Sequence, residues 1–170
     1  MLMTGQKFLK NLLIENCQNN ITINQSYKLF FLIPSMKFRE KTLESGTKIL
    51  LGRNAESNDE LIREFEGKEN IIIHTIAPGS PFCVIVNDKP SQKDINLSGA
   101  YCARYSQDWR DNKKDVKVSI FTGNDINKKK GMKIGTWKVK KSKIKIIRKG
   151  EIEKAITHSD WPYASANAEE

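Results

Sequence analysis

Cysteine is scarce, with three residues in 170, at positions 17, 83 and 102. That odd, widely spaced set offers neither a disulfide framework nor a C-x-x-C zinc clamp, so a reducing, cytoplasmic setting is expected. Long apolar runs are missing too. No stretch approaches the roughly 18 residues a membrane-spanning helix needs, so no membrane partner is expected. In the opening MLMTGQKFLKNLLIENCQNN, Glu15 and the asparagines interrupt the apolar block and no small-residue cleavage site follows, which argues against a secretory signal. Several catalytic signatures are absent as well. There is no G-x-x-x-x-G-K-(S/T) phosphate loop and no G-x-G-x-x-G fingerprint. Ser80 sits in P-G-S-P-F rather than in G-x-S-x-G, and His158 has no evident orienting acid. The H-x-E and P-C-x-x-C pair of a zinc deaminase is also lacking. The expectation is a protein that is not an enzyme and needs no metal or cofactor, although carboxylates distant in sequence can still converge in space.

Acidic residues are unevenly missing. The chain is formally +9, and the excess lies between residues 110 and 154, where 16 Lys/Arg stand against 5 Asp/Glu; no carboxylate interrupts residues 131–150. Such a basic surface fits a polyanionic partner and says nothing of fold. A plainer alternative is that an AT-rich genome writes Lys, Asn and Ile readily and that the lysines are a solvated face; composition alone weighs the two about evenly. Residues 1–35, Asn- and Ile-rich and ending at Pro34, read either as a weakly ordered leader or as a docked helix at 5–16.

From Met36 onward the pattern is clearer. KFREKTL and TKILLGR flank the turn ESG with Gly46 and read as a hairpin. SNDELIREFEG has capping-box spacing from Ser57 to Glu60 and predicts a short helix over 58–66. NIIIH and FCVIVN read as strands around the turn TIAPGSP. Leu97, Tyr101, Tyr105 and Trp109 recur every four residues and predict the main helix, with their stripe in the core rather than stacking bases. VKVSIFT, GTWKVK and KIKIIRK supply three more strands. Few helices and mostly consecutive strands predict an α+β, two-layer fold: a mainly antiparallel sheet packed against one main and one short helix.

The basic segment invites a specific register. If TWKVK and KIKII pair through a short turn at Lys141 and Ser142, Trp137 faces Ile146 and Val139 faces Ile144, which buries Trp137. Lys138 then faces Lys145 and Lys140 faces Lys143. Opposed like charges destabilise a sheet by roughly 0.2–1 kcal/mol per pair, so this ribbon calls for an anionic partner. Lys128, Lys129, Lys130 and Lys133 around Gly131 extend the surface through a loop whose N–H groups can approach phosphates.

Four blocks carry a family resemblance, in order over about residues 37–148. GRNAESNDEL at 52–61 resembles the G-(K/R)-N-x-x-x-N-(D/E)-x-L entry of the NFACT-R domain, the RNA-binding module of NFACT proteins, which act in ribosome-associated quality control. IIIHTIAPGSPFCVIV is similar to the family's W-L-H…P-G-S-H-V-V-I segment, with His74, Pro78, Gly79 and Ser80 in step. GAYCARYSQDWR resembles its Ala-rich helix with a Tyr-Ser pair. VKVSIFTGNDINKKKGMKIGTW resembles its V-x-V-x-x-T…V-x-K-P-K-G-x-K-P-G-x-V passage. The departures are Ile72 for an aromatic, Pro81 for a second histidine, and Lys129 and Ile134 for two prolines.

The resemblance implies a stand-alone NFACT-R module. Residues 36–150 form its expected RNA-binding domain, 1–35 a leader and 151–170 a flexible tail holding Trp161 and Tyr163. It implies non-enzymatic binding of structured RNA, tRNA or rRNA, with the ribosome as a candidate partner. Alanine-tail elongation is not carried over. NFACT-R domains also occur joined to 4-thiouridine-synthase-like modules, so an RNA-modification enzyme is a further possible partner. The alternative is a protein-interaction module docking on an acidic ribosomal or enzyme surface. The expected RNA contacts are Arg53, Asn54, His74, Gly79, Ser80, Lys128, Lys129, Lys130, Lys133, Lys138, Lys140, Lys143 and Lys145. Asn54 is open between cap and contact, and His74 between core and contact; Ser57 and Asp59 are expected to be structural, as turn formers or helix caps.

Overall fold

The computed structural model describes residues 37–87 and 89–157. β1 (Arg39–Thr42) and β2 (Lys48–Leu51) make the expected hairpin, with Gly46 at φ 82° in the left-handed conformation that glycine adopts without strain. Next come α1 (Ala55–Phe65), β3 (Ile71–Thr75), β4 (Cys83–Ile85), α2 (Gln92–Arg104) and α3 (Gln107–Asn112). β5 (Val116–Thr122), β6 (Ile126–Asn127), β7 (Lys138–Val139), β8 (Lys143–Ile147) and α4 (Lys149–Thr157) complete the order. Six strands form one sheet in the order β1-β2-β4-β3-β5-β8, antiparallel at every pairing, and β6 and β7 form a separate small ribbon. The architecture is α+β with a mainly antiparallel sheet.

Period-2 alternation divides the apolar residues between the two faces of the sheet. Ile49, Leu51, Ile73, Val118 and Ile147 point to a core closed by α2 and α4. Ile72, Val84 and Phe121 point the other way, onto Leu61, Ile62 and Phe65 of α1 and onto Trp137 beside the small ribbon. Full burial of each such side chain contributes about 2 kcal/mol.

α2 starts where Ser91 caps it, Oγ accepting from Asp94 N at 3.1 Å. Asp94 in turn accepts from Ser45 Oγ at 2.6 Å and Thr47 Oγ1 at 3.2 Å, tying the helix start to the β1–β2 turn. The four-residue stripe does not make one helix. Ser106 donates to Ala103 O at 2.6 Å and accepts from Trp109 N at 3.1 Å, so it ends the first segment and caps α3. Tyr101 and Trp109 remain buried, as expected of a core stripe.

Three further expectations are corrected. α1 begins at Ala55 rather than 58, because Asn54 and Ser57 form the capping box in place of Ser57 and Glu60. β7 and β8 do not pair: β7 pairs with β6, setting Lys138 opposite Asn127, while β8 pairs with β5, setting Lys145 opposite Val118 and Lys143 opposite Ile120. β5 offers β8 a longer run of β-branched partners than the two-residue β7 can. The start of the expected tail is instead α4, whose Ile152 and Ala155 are buried in the α2 core. The leader and the rest of the tail, with Phe30, Phe31, Trp161 and Tyr163, lie outside the described residues. Among the described residues, no helix is long and apolar enough to cross a membrane.

The junction after β5 depends on a missing side chain. Gly123 N donates to Asn70 O at 3.1 Å and Gly67 N donates to Gly123 O at 2.8 Å, so a Cβ on Gly123 would meet Phe65 O at 1.9 Å. Gly123→Ala is expected to cost about 3 kcal/mol of folding stability through this backbone clash. Gly46→Ala, with open space but a left-handed φ, should cost about 1 kcal/mol. Urea denaturation checks both, and equal losses would contradict the assignment.

Candidate functional site

Four segments distant in sequence meet around one cleft of about 700 Å³: residues 52–58, 78–82, 105–110 and 134–139. The first is set by the start of α1. Asn54 Oδ1 accepts from Ser57 N at 2.8 Å, while Ser57 Oγ accepts from Arg53 N at 2.7 Å and Asn54 N at 2.9 Å. This fixes the Arg53 backbone at the cleft. Asn58 joins that segment to the second, accepting from Phe82 N at 2.9 Å and donating to Ser80 O at 3.5 Å. A Cβ on Gly52 would lie 1.9 Å from Asn58 Oδ1, so close approach requires glycine there.

The P-G-S turn is held by its own hydroxyls. Ser80 Oγ accepts from Thr75 N at 3.2 Å, Thr75 Oγ1 donates to Ala77 O at 2.6 Å, and Gly79 takes φ 84°. Gly79 O accepts from Gln107 N at 2.8 Å, joining the turn to the α2–α3 segment. His74, half-buried in the cleft wall, packs its ring on Phe82 with centroids 4.4 Å apart. Burial holds its imidazole below the ordinary value against opposing hydrogen bonds with the Thr75 and Ser80 backbone, so it is neutral at pH 7.

Among the described residues, three arginines line the cleft and no Asp or Glu does. Arg39 Nη1 donates to Gly52 O at 3.0 Å, and its guanidinium lies 4.6 Å from the centre of the Tyr105 ring. Its pKa is lowered first by burial, with Tyr105 opposing and the positive charge of Arg53 adding to the drop. The like charges of Arg39 and Arg53, both on the cleft lining, thus repel each other. Arg39 and Arg110 escaped the sequence reading. The signal for Arg39 was its place opposite core-facing Leu51 in the hairpin, where a cation is unusual; nothing in the sequence marks Arg110.

The lysine-glycine loop gathers on Asp59, with Glu66 accepting from Lys128 N at 3.4 Å at its start. Asp59, 7% exposed, accepts from the Lys128 ammonium, from Gly135 N at 2.8 Å and from the Trp137 indole N–H at 3.0 Å. Arg63 Nη2 approaches it at 3.3 Å. Burial raises the Asp59 pKa, but Lys128, Gly135 and Trp137 together outweigh burial and leave it below the usual carboxylate range. Asp59 therefore lies inside α1 and anchors the loop rather than capping the helix. Trp137 is buried as expected, but against α1 and not opposite Ile146.

The expected site residues fall into groups. Arg53, Asn54, His74, Gly79 and Ser80 come together in the cleft. Lys128 is engaged by Asp59 and also donates to Lys133 O at 3.2 Å. Lys129, Lys130 and Lys133 are exposed in the loop, and Lys138 is exposed on β7; none has an ion-pair partner among the described residues. Lys140, also exposed, donates its backbone N–H to Asp125 O at 2.7 Å. Lys143 and Lys145 share the α2 face of β8 with Ile147, and Lys145 donates to Asn96 of α2. The cations thus lie on two faces and do not form one flat ribbon.

Other chemistry finds little footing. Burial pushes the Cys102 thiol up to about 12 and Cys83 well above its ordinary value, so neither is a thiolate at neutral pH. No cluster of His, Cys, Asp or Glu among the described residues could hold a metal.

The described residues thus define an antiparallel α+β module with an arginine-lined cleft. Residues 36–141 match the family model described as "NFACT protein RNA binding domain", and the chain belongs to that family. It is a family of RNA-binding domains and not a catalytic one. The fold is similar to the solved C-terminal part of the fibronectin/fibrinogen-binding protein from Streptococcus suis, with a TM-score of 0.61 at 23% identity. The match covers 69% of this chain and 48% of that one. No curated protein matches the sequence.

Asp59→Asn is expected to cost about 3 kcal/mol at pH 7, since it removes the charge that pairs with Lys128 beneath the loop. The lowered folded pKa fixes the pH dependence. The contribution is fully present above the unfolded value near about pH 4, and is lost as pH falls through the folded value. Urea denaturation of both proteins across acidic pH should therefore show their stability gap closing on acidification. A constant gap would contradict the anchor.

Proposed function

We propose that this is a non-enzymatic, cytoplasmic RNA-binding module for structured RNA, tRNA or rRNA, whose contacts are grouped around the arginine cleft and the adjoining lysine loop. The observation that carries it is a cleft lined by Arg39, Arg53 and Arg110 and, among the described residues, by no carboxylate. Guanidinium forks recognise phosphate in two-pronged fashion, and folded RNA is read more by shape and backbone than by base sequence. Lys129, Lys130, Lys133 and Lys138 extend the charged surface from the cleft. Lys128 positions that loop through Asp59. Lys143 and Lys145, on the opposite face, contribute long-range attraction rather than contact at the cleft. Service in ribosome-associated quality control, or in presenting tRNA to a modification enzyme, is consistent with family membership and part of this proposal, as is a binding domain that starts at residue 36 and includes α4.

A second reading, docking on a protein, is favoured by one specific surface. Ile76, Ile144 and Ile146 are 50%, 66% and 43% exposed. Strand pairing sets Ile76, Lys117 and Ile146 in one row and His74, Ser119 and Ile144 in the next, on one sheet face. An acidic protein surface with apolar side chains would complement it.

Salt separates the two readings. Contact with about five to seven phosphates predicts tRNA affinity falling with salt at a log–log slope of roughly −4 to −6 in filter-binding assays. Lys129→Glu with Lys130→Glu should reduce the magnitude of that slope by about two. Affinity indifferent to both, with a partner that stays bound after nuclease treatment and is lost in Ile144→Asp with Ile146→Asp, would favour protein docking.

A further inference from the structure

The cleft is larger than a phosphate requires. Its volume of about 700 Å³ lies within the range of small-molecule sites, roughly 300–1,000 Å³. Beside the arginines and several polar groups, the lining includes the apolar or aromatic side chains of Phe82, Phe121, Trp137, Val139 and Ile134. Polar capacity is also left over. Asn54 and Asn58 are engaged in holding the backbone, but Gln107, Ser119 and Thr136 make no side-chain hydrogen bond to a described residue. Cations, ring and aliphatic surface, and unengaged amide and hydroxyl groups gathered in one cleft match the three parts of a nucleotide.

We propose that the cleft captures a single nucleoside 5′-phosphate unit of RNA, with the phosphate on Arg39, Arg53 and Arg110 and the base against the Phe82–Trp137 wall. This rests on the RNA-binding reading and sharpens it: the lysine loop holds the backbone generally, while the cleft takes one unstacked residue. Repulsion between Arg39 and Arg53, relieved by the phosphate, favours occupancy. Neutral His74 adds a flat, uncharged face to the wall instead of a fourth cation. The unit can come from a nucleotide extruded from a loop or from a phosphorylated 5′ end.

The test uses the full chain and two small probes, adenosine 5′-monophosphate and inorganic phosphate, followed by amide NMR. The nucleotide should shift the resonances of Arg53, Asn54, Gly79 and Thr136, and bind at least about tenfold more tightly than phosphate. Arg53→Ala with Arg110→Ala should weaken nucleotide binding by about tenfold or more without lowering the melting temperature, because both side chains are exposed. Two RNA arms distinguish the sources. A fluorescence change from 2-aminopurine in a hairpin loop supports extrusion, and tighter binding of a 5′-phosphorylated than a 5′-hydroxyl single strand supports end capture. Phosphate binding as tightly as the nucleotide would overturn the proposal in favour of a plain anion site. So would salt-sensitive RNA binding that leaves the cleft resonances unmoved and survives the double arginine variant, and in that case the general RNA reading would stand. Nucleotide binding without RNA binding would keep the pocket and sink the RNA reading, and failure to bind either would sink both.

Discussion

The Asp59 carboxylate supports the cleft and its loop. Asp59 projects from the second turn of α1 and gathers an ammonium, a backbone amide and an indole N–H from one loop. Without it, a segment dense in lysine and poor in apolar side chains would have little reason to pack. Its charge meets Lys128 and the N–H dipoles of Gly135 and Trp137 in a nearly dry setting, where such pairing is stronger than in water and its one-sided removal costs most. The Trp137 ring, held at the same point, closes the second core against Leu61, Phe65 and Phe121. One interaction therefore joins loop placement, core packing and the far wall of the cleft.

That arrangement separates two uses of positive charge. Lys128 is neutralised from within and acts as a strut. Arg39, Arg53 and Arg110 face a cleft whose lining, among the described residues, contains no acid, so their attraction is left for a ligand. The scaffold fixes this by ordinary means: a capping box at Asn54 sets the Arg53 backbone, Asn58 stitches α1 to the P-G-S turn, and Arg39 lies across Tyr105 with one prong on Gly52 O. Rigid placement lowers the ordering cost on binding.

Much of this was legible in the sequence, because local rules and tertiary structure agree over β1 to β4. The Gly46 turn, the alternation in β5 and the buried Tyr101–Trp109 stripe all follow from period and turn chemistry. The basic end was misread for a physical reason. Apolar matching between TWKVK and KIKII is satisfied locally, but β5 presents β8 with a five-residue antiparallel partner, so a long-range pairing prevails over a short-range one. The helix start moved because an asparagine cap with a serine partner is as good as the Ser57–Glu60 pair and lies three residues earlier. Motif likeness located Arg53, His74, Gly79 and Ser80. It gave no warning of Arg39 or Arg110, which reach the cleft only through sheet registration and the break at Ser106.

The most direct measurement is hydrogen–deuterium exchange of the full chain with and without tRNA. Slowed exchange concentrated in residues 52–54, 78–80, 105–110 and 134–137 is the predicted result. Protection confined to residues 143–147, with the amides of the cleft unchanged, would contradict the account.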